Sequence, residues 1–187
     1  MKKRYAERMV GLKRSEMMRF IQSLNADEAS QVMKVVLEDD PLLTKKIYDV
    51  AMKVAGGVNV DVVMDKVFCE LDKLDMDDLR GRAGRTRHGY VEPNEAAWEL
   101  FEDALTPFID EMKKNQQRML PAAAKNYCIG IVKGLWMYKE ESSSDLKDWL
   151  EDAPGEYVET VVKEWEKGNP DNDAIAEVMS VAKGGQS

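Results

Sequence analysis

Apolar residues recur at steps of three and four along most of this chain, which is the spacing of one face of a helix. A first helix is predicted within residues 15–24, with apolar positions at Met17, Met18, Ile21 and Leu24. Asn25 or Asp27 is suited to cap a second helix, whose apolar positions are Val32, Met33, Val36 and Leu37. Together they predict a helical hairpin.

A second hairpin is predicted to follow directly. Pro41 suits the first turn of a helix, and Gly56-Gly57 suits its end. The predicted buried positions of this helix are Leu43, Ile47, Val50, Met52 and Val54. Asn59 or Asp61 then caps a helix with an apolar stripe at Val63, Val67, Cys69, Leu71 and Leu74.

The strongest helical pattern lies in residues 92–115, with Trp98, Phe101, Leu105, Phe108 and Met112 at steps of three or four. Pro107 is predicted to kink this helix. The next helix, within 120–141, places small side chains at Ala122, Asn126, Gly130 and Gly134. Their spacing of four predicts the close approach of another helix backbone, and the serines at 142–144 end the pattern.

The C-terminal part again has helix-sized patterns. Their apolar positions, predicted to cover the preceding pair of helices, are Leu146, Trp149, Leu150, Val158, Val161, Val162, Trp165, Ile175, Val178 and Met179. We predict an all-α fold of stacked antiparallel hairpins, a HEAT-like α-α superhelix; the alternative is an irregular helical bundle. Residues 1–14 are predicted to form a basic arm or first helix, and 15–187 a single domain.

Charge is distributed unevenly in this chain of 187 residues and net charge -8. Residues 1–20 hold seven Lys/Arg against two acidic residues, so the remainder is strongly acidic. Because nucleic-acid binding needs a basic surface that displaces counterions, general binding to DNA or RNA is disfavoured.

The two cysteines and the absence of a long apolar run predict a cytoplasmic protein. Cys69 and Cys128 lie within apolar helical patterns and are predicted to be reduced core residues. The basic N-terminus is not followed by an apolar stretch, and the most apolar segment, 127–138, is short and interrupted by Lys133. Neither export nor membrane insertion is expected.

One segment, "RGRAGRTRHGY" at 80–90, is basic and glycine-rich, and we predict a loop there. Its candidate site residues are Arg80, Arg82, Arg85, Arg87 and His88. We favour an internal ion-pair network with the neighbouring acids Glu70, Asp72, Asp75, Asp77, Asp78, Glu92, Glu95 and Glu99. The other interpretation is that the arginines project outward and bind an anion or an acidic partner.

Recognisable chemistry is sparse. The one histidine and two separated cysteines form no zinc-binding spacing, and the glycines at 81, 84 and 89 match no nucleotide-binding loop. Asp171 and Asp173 are interpreted as helix caps rather than as the start of a calcium loop. An enzyme would need a buried cleft in which carboxylates such as Asp75, Asp77 and Glu95 converge, and the sequence gives no reason to expect one. We therefore predict no catalytic residue, metal or cofactor.

The segment "RAGRTRHGYVEPNEAAW", Arg82 to Trp98, resembles the helical region that accompanies SWIM-type zinc-finger domains in bacterial and archaeal proteins. The resemblance covers about residues 15–150. It implies a stack of helical hairpins in which the 80–90 segment is a family feature. The Cys-x-Cys and Cys-x-His pairs of the zinc finger are missing, so no zinc-dependent contact is carried over.

These observations predict a non-enzymatic helical scaffold that binds another protein or itself, since methionine-rich apolar faces adapt to helical partners. The alternative function is an accessory module that binds anions or nucleic acid through Arg80–Arg87 and the basic N-terminus.

Overall fold

The computed structural model describes residues 13–86 and 89–184, and nearly all of them are helical, which confirms the all-α prediction. The described helices are α1 (Arg14–Gln22), α2 (Ala26–Asp39), α3 (Pro41–Ala55), α4 (Val60–Asp72), α5 (Met76–Arg82), α6 (Pro93–Gln117), α7 (Pro121–Glu141), α8 (Ala153–Glu166) and α9 (Asn172–Gly184). A 3₁₀ turn spans Asp145–Trp149. The chain divides into two compact units: the first unit is Met1–Ala51 and the second unit is Met52–Ser187. Most of the predicted N-terminal arm, 1–12, lies outside the described residues.

Local capping sets the helix boundaries of the first unit. The Asn25 side chain accepts a hydrogen bond from the Glu28 amide at 2.9 Å, and the Glu28 carboxylate accepts one from the Asn25 amide at 3.0 Å. This reciprocal pair satisfies two amides that the first turn of α2 leaves unpaired. Asp40 does the same for α3 by accepting from the amides of Leu42 and Leu43. The predicted starts of both helices are therefore confirmed.

The apolar stripes of the first unit are not buried, contrary to the prediction. No residue within 13–51 is buried, and the half-buried ones are Met17, Leu24, Ala29, Val36, Thr44 and Ile47. No two of the helices α1, α2 and α3 pack closely against each other over their described residues. A stripe becomes a core only when another apolar surface covers it, and residues 13–51 supply none.

The second unit is built around α7. This helix packs against α4, α6, α8 and α9, and its buried residues lie all around it: Ala123, Ala124, Cys128, Ile129, Gly130, Ile131, Val132, Gly134, Leu135, Trp136 and Tyr138. A helix covered on every side is apolar around its whole circumference. This packing agrees with the irregular-bundle alternative, and a HEAT-like superhelix remains a prediction.

The predicted close approach along the small residues of α7 is confirmed. A methyl group at Gly130 would lie 2.6 Å from Cβ of Val63, and one at Gly134 would lie 2.7 Å from Cβ of Val67. Asn126, on the same stripe, donates a hydrogen bond to the carbonyl of Val58 at 2.9 Å. Glycines at these positions let α4 and α7 pack backbone to backbone.

Two further predictions for the second unit are corrected. Cys69 is exposed, because the buried face of α4 is formed by Val63, Val67 and Leu71, and Cys69 points away from that stripe. Trp149 and Met179 are exposed as well, whereas the other apolar C-terminal positions are buried or half-buried against the core.

Candidate functional site

The arginine-rich segment is more ordered than the predicted loop. Arg80 and Arg82 lie in the last turn of α5, and β1 (Gly84–Thr86) pairs antiparallel with β2 (Gly89–Val91) to form a short hairpin. Gly84 and Gly89 have φ angles of 103° and 143°, a region that glycine enters without steric cost. The predicted site residues Arg87 and His88 lie outside the described residues.

Arg82 forms ion pairs with two acidic residues of α6. Its guanidinium lies 2.7 Å from a carboxylate oxygen of Asp103 and 3.8 Å from one of Glu99, and both acids belong to α6. Arg82 thereby links α5 to α6. The sequence analysis named Glu99 but missed Asp103, which lies one helical turn further on and thus on the same face of α6.

The other described arginines are less constrained. Arg80 pairs with Asp77 on its own helix at 2.8 Å, and both side chains are largely exposed. Arg85, on β1, is exposed and forms no ion pair within the described residues. The structure therefore does not bring Arg80, Arg82 and Arg85 together around one anion; each has a different environment.

The carboxylates that were considered for catalysis have structural contacts or are exposed. Asp75 caps α5 by accepting from the amides of Asp77 and Asp78 at 2.8 and 2.9 Å. Asp77 is paired with Arg80, and Glu95 is exposed in the first turn of α6. Asp171 accepts from the Ala174 amide at 2.7 Å, which confirms its predicted capping role.

A buried polar cluster joins the end of α7 to the end of α4. Ser142 donates to Asp72 at 2.6 Å, and Ser144 donates to the carbonyl of Leu74 at 2.6 Å. The nearby Tyr138 hydroxyl is buried and completes no hydrogen bond within the described residues. Its burial, followed by the charge of Asp72, raises the pKa of Tyr138 to about 12. The cluster pins two helix ends together, a role that the sequence did not reveal.

The cysteines differ in their chemistry. Cys128 is buried in α7, and this burial raises the pKa of its thiol to about 12, so it holds its proton at neutral pH and is a poor nucleophile. Cys69 is exposed on α4, and neither cysteine is in a disulfide.

A cavity of about 650 Å³ lies between the end of α6, the start of α7, the end of α8 and the start of α9. Trp165, Pro121 and Met119 give it an apolar lining. Lys125 lies 2.5 Å from Glu177, and Gln116 donates to the carbonyl of Trp165 at 2.6 Å. The lining also includes Asp171, which caps α9, and the exposed Asp173.

The largest unexplained feature is on the first unit. Eleven large apolar side chains, which we call the first-unit apolar surface, are exposed there: Met18, Phe20, Ile21, Val32, Met33, Val35, Leu37, Leu42, Leu43, Tyr48 and Val50. Leu42 is 84% exposed and Phe20 67%. Large exposed apolar side chains concentrated in one segment of a chain are candidates for an interaction site.

Comparison with protein-family models, with curated proteins and with solved structures gave no match to this chain. Among the described residues, none of the helices has both the length and the apolar character needed to cross a lipid bilayer.

Proposed function

We propose that this protein is a non-enzymatic helical scaffold that binds a protein partner through the first-unit apolar surface. One observation carries the proposal: no residue within 13–51, the segment that holds α1, α2 and most of α3, is buried. The second unit, by contrast, has a complete core of its own.

The energetics support a partner. Isolated helices of 9 to 15 residues, the lengths of α1 to α3, are marginal in water, and most helices in proteins are stabilised by packing of their apolar faces. Burying an apolar side chain contributes roughly 1.5–3 kcal/mol, so covering even a few of these eleven side chains stabilises a complex substantially.

Site-specific photo-crosslinking tests the proposal. A benzophenone amino acid is placed at Phe20 or Leu42, and in a control at Thr160, which is exposed on α8 of the second unit. After irradiation in the native host, crosslinked products are separated by mass and identified by mass spectrometry. We expect a discrete product from Phe20 and Leu42 that is absent from Thr160.

The same product from all three positions means nonspecific contact, and no product from Phe20 or Leu42 refutes the proposal. A discrete product confined to the two first-unit positions supports it, whatever protein is captured.

A second candidate function is an accessory anion- or nucleic-acid-binding module, and the observation that favours it is Arg85, which is exposed and forms no ion pair with the residues that the structure describes. The variant Arg85→Glu is then expected to abolish salt-sensitive binding to an oligonucleotide, whereas Arg82→Glu also disturbs the fold. Absence of binding by the wild-type protein at low salt rules this function out.

The wider setting is proposed on sequence grounds. The resemblance of residues 82–98 to the helical region of SWIM-type zinc-finger proteins supports an interaction role, and two unpaired cysteines support a cytoplasmic location.

A further inference from the structure

The first-unit apolar surface has an area and a charge pattern that suit a second copy of the same chain. We propose that the protein forms a symmetric homodimer in which helices α1 to α3 of two copies cover each other's apolar faces. This inference rests on the proposed function and names its partner.

The exposed area is large enough for a stable dimer. Eleven partly exposed large apolar side chains expose on the order of 1,000 Å², against about 800 Å² that each partner buries in a standard interface. Nothing within residues 13–51 covers this area, since no residue there is buried.

The charges of α2 and α3 are opposite. Helix α2 carries Asp27, Glu28, Glu38 and Asp39 against one basic residue, Lys34. Helix α3 carries Lys45, Lys46 and Lys53 against one acidic residue, Asp49. Within the described residues, no ion pair joins the two helices. The acidic and basic helices of one copy are therefore both available to the other.

In a dimer with two-fold symmetry, a contact between the acidic helix α2 and the basic helix α3 occurs twice. In a symmetric dimer, if α2 of one copy faces α3 of its partner, then α3 of the first copy faces α2 of the partner as well. Both contacts are attractive, and this fixes which helices meet.

Net charge locates the contact in the first unit. Residues 1–51 carry ten Lys/Arg and eight Asp/Glu, whereas 52–187 carry 17 Lys/Arg and 27 Asp/Glu. Two copies repel each other through their second units, each with a net charge of -10, but not through their nearly neutral first units.

Analytical ultracentrifugation of the intact chain provides the first test. We expect a species of twice the 21.2 kDa chain mass, and a dissociation constant about tenfold or more weaker for Phe20→Ser and for Leu42→Ser. The control is Val62→Ser, at a side chain of the second unit that is 48% exposed on α4 and that should leave the dimer unchanged.

Charge reversal provides the second test. The variant Glu38→Lys with Asp39→Lys makes α2 basic, and Lys45→Glu with Lys46→Glu makes α3 acidic. Glu38→Lys and Asp39→Lys place positive charge in the last turn of α2, where the helix dipole favours it, and Lys45→Glu and Lys46→Glu change exposed side chains of α3, so both variants should keep their helicity. We expect each variant alone to be monomeric because like charges then face each other, and an equimolar mixture to form a heterodimer.

Rescue in the mixture requires contact between chains, because pairing of α2 with α3 within one chain is not restored by mixing. A wild-type protein that is monomeric up to about 100 µM overturns the homodimer. So does a dimer that only Val62→Ser weakens, or a mixture that stays monomeric. If the photo-crosslinked product contains a different protein, the homodimer fails but the scaffold function stands; if no product forms, both fail.

Discussion

Single residues decide how closely the central helix of the second unit can be approached. Gly134 of α7 faces Val67 and the Met64 carbonyl of α4, and both lie within 3 Å of where a Cβ would be. Such a contact is possible only without a side chain. The spacing of small residues revealed this stripe in the sequence, because a repeat of four is a local property of one helix.

Substitution of Gly134 by alanine should therefore destabilise the protein, although alanine is the better helix former. Overpacking of a close helix contact costs about 1–3 kcal/mol, which exceeds the gain of up to about 1 kcal/mol in helix propensity. Urea denaturation measures the difference. The matched control is Gly155→Ala in α8, where an added methyl meets nothing within 4 Å and stability should stay equal or rise. Equal stability of Gly134→Ala and the wild type contradicts the close packing.

A second residue-scale prediction concerns alkaline pH. The native pKa of Tyr138 is raised to about 12 from an ordinary value of 10.0, so the unfolded chain loses this proton first. The neutral phenol is favoured in the native state, and the associated stability is present below pH 10 and lost between about pH 10 and 12. We expect the free energy of unfolding to fall over this range, and to fall less in Tyr138→Phe.

The phenylalanine variant should also be at least as stable as the wild type at pH 7, because it removes a buried hydroxyl that completes no hydrogen bond. Thermal unfolding at pH 7 and at pH 11 checks both statements. A variant that is less stable at pH 7 shows that the hydroxyl is bonded after all.

At the scale of elements, local sequence predicts where helices begin and end, but it does not predict whether another helix covers their apolar stripes. Asn25, Asp40 and Asn59 accept hydrogen bonds from amides within three residues of themselves, so their roles follow from the sequence. Whether a stripe is buried depends on what packs against it. The stripes of α4 and α6 meet α7, whereas those of α1 to α3 meet no covering helix within the first unit.

The structure of the arginine-rich segment also depends on contacts that local sequence does not specify. Its glycines and arginines indicated a turn, but the hairpin depends on pairing of Arg85 with Tyr90, five residues further along the chain. The partners of Arg82 depend on the packing of α5 against α6, which local sequence does not specify. The sequence indicates ion pairs between the arginines and neighbouring acids that include Glu99, but it does not indicate the contact of Arg82 with Asp103.

Replacement of Arg82 by alanine tests that ion pair. Arg82 is 34% exposed and Asp103 is 65% exposed, so solvent screens the attraction. We expect a loss of less than about 1 kcal/mol in the free energy of unfolding, reduced further at high salt. Arg85→Ala, which breaks no ion pair of the described residues, serves as the control. A loss for Arg85→Ala as large as that for Arg82→Ala contradicts the assignment.

At the scale of the whole molecule, the two units differ in how much apolar surface they bury. Residues 52–184 contain a continuous core that includes Phe101, Leu105 and Leu135, while residues 13–51 contain no buried side chain. The amphipathic patterns look alike in both parts, and for this reason the sequence predicts one domain over 15–187. The difference lies in long-range packing, which periodicity does not report.

Hydrogen exchange should show this difference directly. In dilute solution, we expect the amides of α1 to α3 to exchange faster than those of α6 and α7, because the free energy of local opening is small where few apolar contacts are lost. Raising the protein concentration should slow exchange in α1 to α3 alone, since association stabilises only the state that associates. Equal protection of both units at low concentration contradicts the division.

The position of α7 also bears on how the chain is made. The ribosome delivers α4 and α6 before α7, the helix against which both pack, so the apolar faces of a nascent chain stay uncovered until about residue 141 has emerged. Premature termination before that point leaves a product without its central scaffold. Quality-control proteases and chaperones are expected to meet such truncated chains, because the apolar faces of α4 and α6 are still uncovered in them.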